Sequence, residues 1–411
     1  MNMAEPFARV SIARIENDDT DAAVRRALAD IGGIGAWLRP GMHVMLKPNY
    51  TGNLPEDSGG VTSNAVLESV IRLVQQAGAA RVTLLEGCGT IALGTQKIFD
   101  SLGVTALCAR YGVALKDANL EPMTTLHSPR FRELQAVECV ADLAQYDLII
   151  NLPVMKTHPL VDTTIAMKNM NGLLSPRQKR AFHDVNLRQA IVDFHQVLPP
   201  YLTIVDGRIG MEGMGPAEGS PVPLGLILAG DNPAAVDAVG SRIMGFDPAQ
   251  IRYLQYAAEA GIGPVDMARI RLSGARVEDV CRPFAPAVPR KAAWPGITVH
   301  EAPSGLHCVG CRAVMTIALD RIQAAGQLEQ FAGLHILLNG SPETAIPLQS
   351  GERLLCLGQC AGPYWDAHRT EPGVYGAVGC APAGLTVEDA IRAIYQVPRP
   401  DTAATSAVFR A

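Results

Sequence analysis

The chain has 411 residues, carries 35 Lys and Arg against 40 Asp and Glu for a formal net charge of −5, and is 48% apolar. That composition excludes a disordered or fibrous chain, and at roughly 100–200 residues per domain the length predicts two or three folded domains. The slight acidity supplies no field for a phosphate backbone, so nucleic acid is excluded as a principal partner, while local basic clusters remain able to bind a small anion.

Residues 1–20 hold Glu5, Glu16, Asp18 and Asp19 and no apolar signal-peptide core. Nowhere does the chain approach the roughly 18 consecutive apolar residues that span a bilayer, so a cytoplasmic protein without membrane contact is predicted. Candidate strands follow at 44–47, 81–86, 147–152, 202–206 and 224–229. Between the first two, Ala65, Val66, Val70, Leu73, Val74 and Ala77 recur at helical spacing and Gly78 stops the run. Residues 236–244 and 251–259 read as helices closing a domain over 1–282. The alternation predicts an α/β fold with a largely parallel sheet flanked by helices. Five prolines then crowd 283–303, which reads as a linker. A smaller cysteine-rich α/β domain over 304–411 follows, with a helix at 308–322, strands at 334–338 and 353–357 and a closing helix at 387–395.

Every strand of the first domain ends in polar residues: Lys47 and Asn49, then Glu86, then Asn151 with Lys156 and His158, then Asp206, then Asp231. Loops are polar in any protein, which accounts for each of these singly. Together they predict a cleft, because ligands of open α/β sheets bind outside the carboxyl ends of the strands. The segment NLPVMKTHPLVDTTIAMKNMNGLLSPRQKRAFH adds Lys168, Asn169, Lys179, Arg180 and His183. Its basic excess predicts a small anionic metabolite, with Lys179 and Arg180 readable equally as a solvated basic face. Lys156, His158, Lys168, Asp206 and Glu212 are the candidate catalytic residues. Lys47, Asn49, Glu86, Asn169 and His183 are the candidate substrate contacts. The glycine-rich VDGRIGMEGMGPAEG around Asp206 and Glu212 reads as a ligand-approaching loop, a lid or a plain surface loop, and lacks any nucleotide-binding fingerprint.

Cys308 and Cys311 form a C-x-x-C pair, and Cys356, Cys360 and Cys380 follow within the C-terminal domain. In a reducing compartment such crowding points to metal or redox chemistry. Cys308, Cys311, Cys360 and Cys380 are the candidate ligands of a [4Fe-4S] cluster, with structural zinc or a thioredoxin-like pair as the other readings. Cys356 falls in an apolar run and reads as a buried strand residue.

The motifs HVMLKPNY, GGVTSNAVLESVIRLVQQAGAARVTLLEG, LIINLPVMKTHPLVDTTIAMKNMNGLL, VDGRIGMEGMGP and LILAGDNPAAVDAVGSRIMGFDP occur in that order over about 40–260. They resemble the bacterial and archaeal domain of unknown function 362 family. The resemblance implies an iron–sulfur protein, and C-x-G-C, G-x-C-A and G-C-P-P are familiar from such proteins; here Ala381 replaces the first proline of the last. The resulting expectation is an iron–sulfur enzyme acting on a small anion by redox chemistry, with a ferredoxin-like electron donor as a candidate partner. A cluster acting as Lewis acid in a dehydratase or isomerase, a non-catalytic electron-transfer or maturation protein, and a zinc-bearing transferase or racemase are the other readings.

Overall fold

The computed structural model describes residues 8–89, 94–182, 185–288, 293–301, 310–377 and 384–398. Its first twelve strands, in chain order, are β1 (Ala8–Arg14), β2 (His43–Pro48), β3 (Arg81–Glu86), β4 (Ala114–Asp117), β5 (Met123–Leu126), β6 (Val137–Val140), β7 (Leu148–Leu152), β8 (Val154–His158), β9 (Asp162–Thr164), β10 (Leu202–Glu212), β11 (Ser220–Gly230) and β12 (Ile270–Gly274). Apart from the separate β5–β6 pair they form one sheet, in the order β12-β1-β11-β10-β7-β2-β3-β4, with β8 beside β10 and β9 on β8.

This sheet is mixed: most of its pairings are parallel, but not all. Strands β10, β7, β2, β3 and β4 run parallel to their neighbours, but β11 is antiparallel to both β10 and β1. The cause lies in the glycine-rich segment. Instead of a loop or lid it continues β10 to Glu212, turns, and returns directly as β11, and a connection that short joins only antiparallel strands. Its glycines serve close backbone approach: a Cβ at Gly207 would lie 2.8 Å from the Leu226 carbonyl oxygen, and one at Gly210 would lie 2.9 Å from that of Met155.

Helix Asn64–Gln76 starts where the Ser63 side chain accepts the Val66 amide, and its apolar stripe, Val66, Leu67, Val70, Ile71 and Val74, is buried. These side chains share a core with Val44 and Leu46 of β2, Leu84 of β3, Ile150 and Leu152 of β7 and Ile204 of β10. Gly78 ends the connection at φ 91°, in the left-handed region that side chains avoid.

The chain divides into two compact units, Met1–Lys179 with Arg188–Ala287, and Arg180–Leu187 with Val288–Ala411. The second has its own parallel sheet in the order β13 (Ile297–Glu301), β14 (Leu334–Asn339), β15 (Arg353–Leu357), β16 (Val374–Ala377). Strand β13 lies inside the proline-rich stretch, as an edge strand. Helices Gly310–Ala324, Gly362–His368 and Gly384–Tyr395 accompany this sheet. Tyr364 belongs to its core and Trp365 packs against it. Among the described residues no helix is long and apolar enough to cross a membrane.

Candidate functional site

Parallel neighbours β2, β3 and β7 end at one edge of the large sheet, and register pairs Lys47 with Asn151 there. The Lys47 Nζ donates to Glu86 Oε2 at 2.7 Å, with the two side chains 0% and 3% exposed. It also donates to the Pro48 carbonyl at 2.9 Å. Glu86 accepts further from the amides of Gly87 at 2.7 Å and Tyr50 at 3.2 Å. Burial lowers the Lys47 pKa and the Glu86 charge opposes that shift. Backbone closes over this pair at Gly172, where a Cβ would stand 2.2 Å from Glu86 Oε1 and 2.6 Å from Lys47 Nζ. Gly172→Ala must displace a buried ion pair, and a loss of about 1–3 kcal/mol in urea unfolding is expected; an unchanged midpoint would refute the close approach.

Pro153 separates β7 from β8, and β8 carries Lys156, which is 1% exposed. Its Nζ donates to Asn49 Oδ1 at 2.7 Å and to the Gly60 carbonyl at 2.9 Å, with Thr51 Oγ1 at 3.5 Å. Because an ammonium only donates, Asn49 must present its oxygen to Lys156. That orientation propagates through the amides. Asn49 Nδ2 donates to Asn169 Oδ1 at 2.7 Å, Asn169 Nδ2 to Asn151 Oδ1 at 2.7 Å, and Asn151 Nδ2 to the Ala166 carbonyl at 2.9 Å. Burial and the nearby Lys168 charge push the Lys156 pKa down to about 7.

Lys168 sits on the short helix Ala166–Asn169, half-buried, and among the described residues it has neither a hydrogen-bond nor an ion-pair partner. Burial lowers its pKa to about 8. Lys179 donates to the Gly87 carbonyl at 2.9 Å and Asn119 Oδ1 at 2.6 Å, and burial brings it too to about 8. Among the described residues one carboxylate lies at ion-pair distance from any of Lys47, Lys156, Lys168 and Lys179, namely Glu86 on Lys47. The excess positive charge in a desolvated setting favours an anion.

Asp237, which the sequence reading missed, anchors the helix that bears Lys168 and Asn169. It is fully buried and accepts from the amides of Ala166 at 2.6 Å and Met167 at 3.2 Å and from the Tyr253 hydroxyl at 3.0 Å. Burial lifts its pKa to about 7 against these bonds. The available signal was an acid inside the otherwise apolar run PAAVDAVG.

Other predicted residues take backbone partners. Asp206 accepts the Ser63 amide at 2.8 Å and the Arg208 amide at 3.0 Å, and burial raises its pKa. Glu212 accepts the Ala285 amide at 2.8 Å, and His158 Nδ1 accepts the Leu160 amide at 3.0 Å. His183, Cys308 and Cys380 lie outside the described residues. Cys311 opens helix Gly310–Ala324 half-buried, and Cys360 is exposed in the short turn Gln359–Ala361 after β15. Cys356 is buried in β15, where desolvation pushes its thiol up to about 11.

Three comparisons bear on this arrangement. A thylakoid-associated protein of Synechocystis sp. is 29% identical over 254 residues, which cover 59% of this chain and 75% of that one. The lactate racemase apoprotein of Thermoanaerobacterium thermosaccharolyticum is similar at a TM-score of 0.37 and 12% identity, covering 93% of this chain and 94% of its own. The family model described as a domain of unknown function, DUF362, matches residues 44–242, a span that contains all four site lysines. The family model that residues 44–242 match is thus that of the family their motifs resemble.

Proposed function

We propose that this protein is an enzyme that binds a small anionic substrate at the strand-end lysines, and that its second unit carries one [4Fe-4S] cluster on Cys308, Cys311, Cys360 and Cys380. One observation carries the substrate class: Lys168 has no counter-charge among the described residues and stands in a desolvated group of amines. An oxyanion is the ligand that offsets such a cation.

The cysteine half of the reading is supported by contrast. The thiols of Cys311 and Cys360 are partly or fully exposed, whereas Cys356 is locked in the core and poorly disposed to become a thiolate ligand. A cluster bound by four cysteines supplies one-electron transfer, and a ferredoxin-like protein is the fitting donor. The chain's own contribution is in the first unit. Lys168 takes the substrate's charge, Lys156 holds or releases a proton, and the Lys47–Glu86 pair with the asparagine chain keeps these groups in place.

Two assays on anaerobically purified protein test this. Calorimetric titration with sulfate and with oxalate is expected to show binding that falls at least about tenfold in Lys168→Gln, the loss of roughly one charge-assisted contact. Metal and sulfide analysis is expected to give about four iron and four sulfide per chain with a brown absorption bleached by dithionite. About one zinc without sulfide overturns the cluster; equal anion affinity in both proteins overturns the substrate site.

A further inference from the structure

We infer that His300, His335 and Glu352 form a proton-operated latch on the edge strand of the second unit, closed while the two imidazoles share no more than one positive charge and open when both are charged. None of the strand-end lysines takes part in it.

Strands β13 and β14 run parallel, and register pairs Thr298 with His335 and His300 with Leu337. The two histidines therefore rise from the same face of the sheet and meet diagonally across the strand pair. His300 Nε2 lies 2.8 Å from His335 Nδ1. The ring planes differ by only 16° and the centroids are 5.1 Å apart, the separation of two imidazoles joined end to end. The contact is thus an in-plane hydrogen bond between nitrogens and not a face-to-face stack. Glu352 Oε2 stands 3.3 Å from the other nitrogen of His335, whose side chain is 13% exposed. A carboxylate only accepts, so His335 keeps its proton on Nε2 and, when neutral, offers the Nδ1 lone pair to the His300 Nε2 proton.

One N–H fills this bond in the neutral pair, and one fills it again when the pair carries a single charge. Two imidazoliums place an N–H on both nitrogens, and two donors then face each other with no acceptor between them. The surroundings offer little to offset the second charge. Leu337, Leu354 and Cys356 of the same face belong to the small apolar core, and the Cys356 thiol, pushed up to about 11, stays neutral. Among the described residues Glu352 is the one carboxylate at ion-pair distance from either ring. Glu301, next along β13, is paired with Arg312, and Arg353 lies over the Tyr395 ring. On helix Gly362–His368, whose Tyr364 covers this face, His368 is bonded to Glu371 and to the Pro342 carbonyl, and Asp366 is exposed, as is Arg369 just beyond it. Burial and the His335 charge lower the His300 pKa. The unfolded chain therefore takes up this proton first, and the stability that the neutral ring secures is lost as pH falls below the ordinary histidine value of 6.5.

What opens is the end of one strand. In its sheet β13 is bonded to β14 alone, and the register slips directly after His300, where Glu301 pairs with Asn339. The charged rings push this end away from β14 while β14, β15 and β16 remain paired behind it.

The test follows the intact protein from pH 8 downward. In protein labelled with carbon-13 at histidine, both ring signals of the pair are expected to shift together as a single proton is taken up above about pH 5, with the second step displaced to lower pH. Across that second step, amide hydrogen exchange, corrected for its intrinsic pH dependence, is expected to accelerate at least about tenfold in residues 297–301 while residues 353–357 of β15 stay protected. His300→Gln supplies an amide that donates to a neutral His335 and accepts from a charged one, and is expected to hold the acceleration within about twofold. Should this variant not fold, the wild-type spectra and exchange decide. Two histidines that titrate independently, exchange that rises equally in β13 and β15 or in neither, or an unchanged acid response in folded His300→Gln overturns the latch.

Discussion

Glu86→Ala destabilises the larger unit by about 3–5 kcal/mol, the cost of leaving a buried ammonium without its partner. The Lys47 side chain is 0% exposed and bonds to Glu86 at 2.7 Å, and the alanine also strands the Gly87 and Tyr50 amides that the carboxylate accepts. Glu86→Gln keeps an acceptor and is expected to cost less. Lys47→Met combined with Glu86→Leu removes both charges and is expected to recover most of the loss, because a buried pair is worth little more than a well-packed apolar one. Trp37 in the first unit reports unfolding selectively once Trp294 and Trp365 of the second are replaced by phenylalanine. A loss below about 1 kcal/mol in Glu86→Ala would show the amine to be solvated rather than buried.

The second large effect is a stability that climbs with pH. Lys156 near 7 and Lys168 and Lys179 near 8 lie below the ordinary lysine value of 10.5, so above pH 7 the unfolded chain binds more protons than the folded one. Stability therefore rises with pH in that window. Opposing groups act mostly elsewhere: Asp237, raised to about 7, lowers stability as pH increases mainly below neutrality and only slightly up to about pH 8, and the Cys108 and Cys139 thiols, raised to about 11, act from about pH 9 upward. Between pH 7 and 9 a gain of about 3 kcal/mol is expected, about 2 from Lys156 and the rest from the half-exposed and partly screened Lys168 and Lys179. Urea midpoints across this range, without anion, measure it. Saturating sulfate is expected to flatten the slope by holding the amines charged; a midpoint that stays level or falls without sulfate would contradict desolvation of the cluster.

What the sequence conveyed about this site was its location more than its chemistry. Runs such as HVMLKP and LIINL announce strands because β-branched and apolar residues fit a sheet buried on both faces, and polar residues directly after them mark its edge. Five of the predicted residues, Lys47, Asn49, Glu86, Lys156 and Asn169, meet in one hydrogen-bonded network. Burial was not legible, since nothing local distinguishes the half-buried Lys179 from a surface lysine. Strand β1 was missed, and the second half of β10, from Gly207 to Glu212, was read as a loop, because glycine lowers strand propensity even where close backbone contact requires it. Asp206 looked catalytic for its place after a strand, and in the structure it accepts the backbone amides of Arg208 and of Ser63, the latter brought from far along the chain, together with a side-chain hydrogen bond from Ser63.

Lys47 and Lys156 are mounted on strands and are fully buried and hydrogen-bonded, so their rotamers are frozen when the protein folds. A free lysine side chain carries about 2 kcal/mol of rotamer entropy, which a surface site surrenders at each encounter with its ligand. Here it is given up once, during folding, and under the function proposed above an arriving anion would order little beyond the Lys168 side chain. On that proposal, recognition would be governed by desolvation and charge, and its tightness would vary with the ligand's own hydration more than with its flexibility.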